Sequence, residues 1–163
     1  MMISVICLAI SAVLIAADQV IKYFVLLNLK PIGTFPVIPG LFELSYVENR
    51  GSAFGMMANH SWIIIGIVVL GCAFVGFLLF RYQHHTFFSR AAATLIIAGG
   101  IGNLIDRFLY GYVVDYLHVL FFDYVFNFAD CCITVGAVLF VIHVLYVSHL
   151  EKKAQTLESP GKE

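Results

Sequence analysis

The sequence predicts a membrane all-α bundle of four transmembrane helices, topped by a small β-rich extracytoplasmic cap. Of 163 residues, 61% are hydrophobic and only 12% charged, and the mean hydropathy is +0.96. A soluble domain carries about 25% charged residues. Four apolar stretches approach or exceed the roughly 20 residues a helix needs to cross a bilayer. Three of the four prolines (Pro31, Pro36, Pro39) fall together between the first two stretches, where they argue against a helix. This composition excludes a soluble enzyme and a disordered chain. A formal net charge of −1 excludes a nucleic-acid partner, which requires a basic surface.

The first span is expected over residues 3–29, apolar from Ile3 to Ala17 apart from Ser4 and Ser11, and continuing past Asp18, Gln19 and Lys22. No Lys or Arg precedes Lys22, and the apolar pattern is long, so a cleaved leader is not expected there. Residues 30–60 form the cap, with strand-like alternation from Leu41 to Val47. The second span, 61–80, holds no charge and ends at Arg81. The third, 91–109, starts with small residues and ends in Asn103, Asp106 and Arg107, with Gly99, Gly100 and Gly102 available for close helix approach. The fourth, 129–147, carries Asp130 near its start. Residues 1–150 are thus read as a single membrane domain, and 151–163 as a polar cytoplasmic tail that frays.

Five of the nine Lys and Arg residues (Arg81, Arg90, Lys152, Lys153, Lys162) lie in the second connection and the tail. Short-loop basic residues mark the cytoplasmic side, so both termini are expected there. Glu151, Glu158 and Glu163 belong to the tail, whereas the other seven acids all map to the outer half.

Charge within a span is costly and marks function or an internal pair. Asp18 and Lys22, four apart, share a helix face and can pair. Glu48-Asn49-Arg50-Gly51-Ser52-Ala53-Phe54-Gly55 places an amide, a cation and two glycines before span two, an arrangement able to donate to a peptide carbonyl. Asn103 and Arg107 project from one face of span three, and Asp106 can cap or pair locally with Arg107. Asp115 and Asp130 flank the connection between spans three and four, each among apolar residues at the outer boundary. Two carboxylates brought together cannot both ionise cheaply, so they can share a proton and act as general base and general acid.

Read together, these segments resemble the lipoprotein signal peptidases, the bacterial signal peptidase II family. The resemblance rests on Asp18-Gln19-Val20-Ile21-Lys22, Asn49-Arg50-Gly51-Ser52-Ala53-Phe54-Gly55, Gly102-Asn103-Leu104-Ile105-Asp106-Arg107, Val113-Val114-Asp115-Tyr116 and Phe126-Asn127-Phe128-Ala129-Asp130. It implies an aspartyl endopeptidase of the bacterial inner membrane, which removes the signal peptide of prolipoproteins just before a diacylglyceryl-modified cysteine. Carried over by position, it makes Asp115 and Asp130 the catalytic dyad. It assigns Asn49, Gly51, Asn103, Arg107, Asn127 and Ala129 to substrate binding, and Asp18, Lys22 and Asp106 to structural polar roles. It also implies inhibition by globomycin-type antibiotics, membrane lipid as a partner, and no metal or other cofactor. Cys131, Cys132 and His118 match no family role.

Three other classes compete on the residues alone. A thiol redox carrier would use Cys7, Cys72, Cys131 and Cys132, but no Cys-x-x-Cys pair is present. A metallohydrolase would gather Asp115, His118 and Asp130 as ligands. A transporter would spread its acids through the membrane depth, whereas here they collect at one face.

Overall fold

The computed structural model describes residues 1–51, 61–122 and 124–158. Ser52-Ala53-Phe54-Gly55, the end of the second motif, lie outside the described residues, as do Asp123 and the last five residues of the tail. Helix α1 runs Met2–Phe24 and continues through a π-helical turn, Val25–Leu29. Strands β1 (Thr34–Ile38) and β2 (Phe42–Asn49) follow, then α2 (Ser61–Arg81) and α3 (Phe87–Tyr110). Strands β3 (Val113–Val119) and β4 (Val125–Phe126) precede α4 (Phe128–Glu158). All four helices are long and apolar enough to cross a membrane.

Helix α3 is the central one. Over half of its apolar window, 56%, is buried, against 22% or less for each of the other three. Its small residues explain why. In lipid, helices gain little from burying apolar surface against each other and associate through close packing instead. A Cβ on Gly99 would collide with the Ala129 carbonyl of α4, and one on Gly102 would stand 2.7 Å from Asp18 Oδ2 of α1. We therefore expect Gly99→Ala and Gly102→Ala each to lower the thermal midpoint in detergent, at an overpacking cost of about 1–3 kcal/mol. Gly71→Ala, which meets open space on α2, should leave it unchanged. Equal shifts at all three positions would contradict this packing.

The turn into α3 is closed by polar side chains. Thr86 caps the helix in a reciprocal capping box with Ser89. His85 bonds Ser89 Oγ and the Leu78 carbonyl, while His143 of α4 meets Thr86 Oγ1 at 3.0 Å. At the other end, Gly111 takes a left-handed conformation (φ 77°) and its N–H bonds the Arg107 carbonyl, stopping α3 and turning the chain directly into β3.

The cap is a four-stranded antiparallel sheet in the order β1-β2-β3-β4. The sequence places β structure only in residues 30–60, yet β3 and β4 come from the connection between α3 and α4. Their apolar run, Val113-Val114 onward, lacks the alternation of a half-exposed strand because Val113 to Tyr116 are buried on both faces. Val114 and Tyr116 pack with Val25 and Leu29 at the end of α1, so the sheet rests on the bundle. Helix α3 also starts four residues earlier than expected, at its Thr86 cap. Helix α4 extends beyond the expected span to Glu158, through Glu151, Lys152, Lys153 and Ala154, which are strong helix formers.

Candidate active site

The site forms where β2, β3, the end of α3 and the start of α4 meet. Asp115 pairs across the sheet with Val47. Asn49, two residues further along β2, points from the same face, which brings its Nδ2 to Asp115 Oδ2 at 2.9 Å. Asn127 sits between β4 and α4 and caps that helix. Its Oδ1 accepts from the Asp130 N–H (2.9 Å) while its own N–H donates to Asp130 Oδ2 (3.2 Å), a capping box that fixes the Asp130 carboxylate. The Asn127 amide then donates to Asp115 Oδ1 at 2.6 Å and to Asn103 Oδ1 at 3.1 Å. Asn103 closes the loop with a 2.7 Å bond from Nδ2 to Asp130 Oδ1. The two carboxylates, fifteen residues apart in sequence, are thus joined to one asparagine.

A second polar cluster supports this loop. Lys22 Nζ has three donors and three acceptors, Asp18 Oδ2, Asp106 Oδ2 and Asn103 Oδ1, each at 2.9 Å. All four side chains are buried. Asp106 pairs with Lys22 and not with its neighbour Arg107, because consecutive helical side chains do not face each other. Its Oδ2 also takes the Val114 N–H, and Asp18 Oδ1 takes the Ala129 N–H. One lysine therefore holds α1 to α3, and its two carboxylates reach β3 and α4. Arg107 donates to the carbonyls of Asn103 and Gly51, and Gly51 N–H bonds Asn49 Oδ1. Ala129 is buried, with its N–H committed to Asp18.

Two contributors escape sequence reasoning. Gln19 donates at 3.1 Å to Asp18, the Gly102 carbonyl and Asp106. It stands inside the first motif, but an amide shows its partners only once the helices are placed. The Tyr116 hydroxyl accepts the Phe128 N–H at 3.2 Å, satisfying a donor in the first turn of α4. His118 lies on the opposite face of β3 from Asp115 and meets Glu43 Oε1 at 2.9 Å, so it does not join a ligand set with the two aspartates. All four cysteines are free thiols.

Electrostatics separate the carboxylates. Arg50 and Lys30 hold half-buried Glu48 down to about 2. Burial, then the charge of Asp130, pushes Asp115 up to about 7, against the bonds from Asn49 and Asn127 that pull it down. Near neutral pH such a group can hold or release a proton. An unfolded Asp titrates at about 3.9, so between about pH 4 and 7 the folded state binds more protons than the unfolded one. The stability this group contributes is complete below about pH 4 and is lost as pH rises through 7. The thermal midpoint is expected to fall from about pH 5 to pH 8, with a shallower slope in Asp115→Asn. An unaltered slope in that variant would show that another group is responsible.

A family model described as signal peptidase (SPase) II matches residues 10–146. The chain belongs to the signal peptidase II family. It is 45% identical over 134 residues to a lipoprotein signal peptidase of Clostridioides difficile, covering 82% of this chain and 90% of that protein. A lipoprotein signal peptidase of Caldanaerobacter subterraneus is 42% identical over 132 residues, covering 81% and 90%. Two bacterial membrane enzyme structures solved by the in meso method have a similar fold. One has a TM-score of 0.77 at 28% identity, covering 96% of this chain and 93% of that one. The other has a TM-score of 0.76 at 31% identity, covering 85% and 92%. Membership of a peptidase family and four spanning helices make this a multi-pass membrane protein with a hydrolytic site to locate.

Proposed function

We propose that this protein is an aspartyl endopeptidase that removes the signal peptide from diacylglyceryl-modified prolipoproteins, cutting immediately before the lipidated cysteine. The observation that supports this most is the hydrogen-bond chain Asp115–Asn127–Asn103–Asp130, in which Asn127 also holds Asp130 directly; it keeps two carboxylates together with one of them titrating near neutrality.

In this reading the pair holds one proton. The ionised aspartate takes a proton from water as the water oxygen bonds to the scissile carbonyl carbon, and the protonated aspartate donates a hydrogen bond to the developing oxyanion. When the C–N bond breaks, that aspartate gives its proton to the departing nitrogen. The products are the signal-peptide carboxyl and a free cysteine amine, and the pair is again singly protonated with its roles exchanged. Asn49, Gly51, Asn103, Arg107, Asn127 and Ala129 are proposed to bind the substrate backbone or hold the dyad, with Asp18, Lys22 and Asp106 as structural support.

The substrate's lipid and signal helix bring its scissile bond to the membrane surface, where the sheet meets the bundle. The distribution of Lys and Arg supports an inner-membrane orientation with both termini cytoplasmic and the dyad near the outer face, residues 1–150 acting as one membrane domain. Globomycin-type compounds are expected to compete at the dyad.

The test is to incubate the full protein in detergent with a diacylglyceryl-modified preprolipoprotein and with its unlipidated precursor, and to read the products by mass. A signal peptide released from the lipidated form, with the new N-terminus at the modified cysteine, is the expected result. Cleavage at another bond, or of both forms equally, overturns the proposal.

A further inference from the structure

A second concavity lies at the end of the bundle away from the dyad. Helices α2, α3 and α4 enclose about 320 Å³ there, lined by Val75, Leu79, Ala92, Ile96, Phe140 and Val144 together with His143. His143 follows Asp130 by thirteen residues along α4, about 20 Å at the helical rise, so this cavity is separate from the site above. Its size and mostly apolar lining, with Tyr82, His85, Ser89 and His143 as its few polar groups, suit a small hydrophobic ligand.

His143 is only 5% exposed. Its Nδ1 lies 3.0 Å from Thr86 Oγ1, which already accepts the Ser89 N–H. With the Thr86 hydroxyl donating to Nδ1, the neutral ring carries its proton on Nε2. That nitrogen has no hydrogen-bond partner among the described residues, in a side chain that lines the cavity. In that tautomer it offers a donor at the cavity wall, beside His85 and Ser89.

The charge around this end selects the kind of molecule. Arg81 adjoins Tyr82, which lines the cavity, and Arg90, Lys152 and Lys153 belong to the same end. The Arg90 Nε is buried without a partner among the described residues. Glu151 is the one acid at this end whose side chain is described. Basic pockets between spanning helices take anionic lipid headgroups. We propose that this cavity holds one acyl chain of an anionic membrane phospholipid, with His143 Nε2 donating to an ester carbonyl and Arg81 facing the headgroup phosphate. This lipid site is independent of the peptidase reading.

The full protein is placed in phosphatidylcholine vesicles containing traces of diazirine-bearing phosphatidylglycerol or, separately, diazirine-bearing phosphatidylcholine, and the cross-linked peptides are sequenced. The phosphatidylglycerol probe should label the cavity-lining residues of α2 and α4 at least fivefold more than the phosphatidylcholine probe. Val144→Trp, which fills the cavity from its exposed side, should remove most of that label, and His143→Phe should reduce it at least twofold. Leu145→Trp, one position away and 65% exposed, should not. Equal labelling by the two probes, labelling confined to other surfaces, or a label indifferent to Val144→Trp or His143→Phe overturns the proposal. Should a variant fail to fold, co-purification decides: wild type extracted from mixed vesicles should retain phosphatidylglycerol by native mass spectrometry, and retention of neither lipid or of both equally counts against the site.

Discussion

Replacing either Asp115 or Asp130 with Asn should lower turnover of a lipidated preprolipoprotein by at least about 10³-fold, since each carboxylate carries proton transfers that typically contribute 10²–10⁴-fold. The substitution is nearly isosteric. Each amide keeps an acceptor oxygen toward one of the two donors its carboxylate served and turns an NH2 toward the other, a local cost with which both variants should still purify as folded protein. Because the two acids act as one unit, the double variant should be scarcely slower than either single one. Turnover within about tenfold of wild type in either variant, measured by release of the signal peptide, would remove that aspartate from the mechanism.

Lys22→Met should produce the largest loss of stability. The substitution keeps the length of the side chain and takes away all three bonds of a lysine that is 1% exposed. Asp18 and Asp106 would remain as buried carboxylates without a counter-charge. Breaking such a buried arrangement by removing one partner costs about 3–5 kcal/mol, which for a chain of this size lowers the thermal midpoint on the order of 10 °C. Asp106 also holds the Val114 N–H and Asp18 the Ala129 N–H, so the damage should reach β3 and α4 and slow cleavage as well. Adding Asp18→Asn and Asp106→Asn to Lys22→Met should recover part of the midpoint, because the unpaired charges are then gone. A Lys22→Met protein as stable as wild type would mean that the three contacts contribute little.

How much of this was legible in the residues differs from element to element. The four helices follow from runs of apolar residues long enough to span, and the chemistry-bearing positions stand out because charge is rare in such a chain. Asp18 and Lys22 announce their pairing by helical spacing, but Asp106 does not announce that it will be their third member. That depends on how α1 lies against α3, which Gly102 sets by having no side chain. Strand β3 lacks the period-two signature because Val113 to Tyr116 are buried on both sides, and β4, two residues long, is too short to carry one. The dual part played by Asn127 was also hidden, since its capping of α4 is local while its bonds to Asp115 and Asn103 require β3 and α3 to be in place. His85 and His143 likewise find their partners only in the assembled bundle, where both bond into the capped start of α3.

If Asp115 and Asp130 hold one proton between them, titration of the Asp115 carboxyl reveals it. Protein carrying ¹³C-labelled aspartate carboxyls, in detergent and with Asp115→Asn to assign the signal, can be followed by NMR across the pH range. An apparent pKa of about 7 is expected for Asp115. In Asp130→Asn it should fall, because the neighbouring charge is gone, yet stay above the ordinary value of about 3.9, since burial is the larger cause. An Asp115 carboxyl that titrates near 4 in wild type, or whose midpoint does not move when Asp130 is neutralised, would contradict a shared proton and with it the proposed dyad.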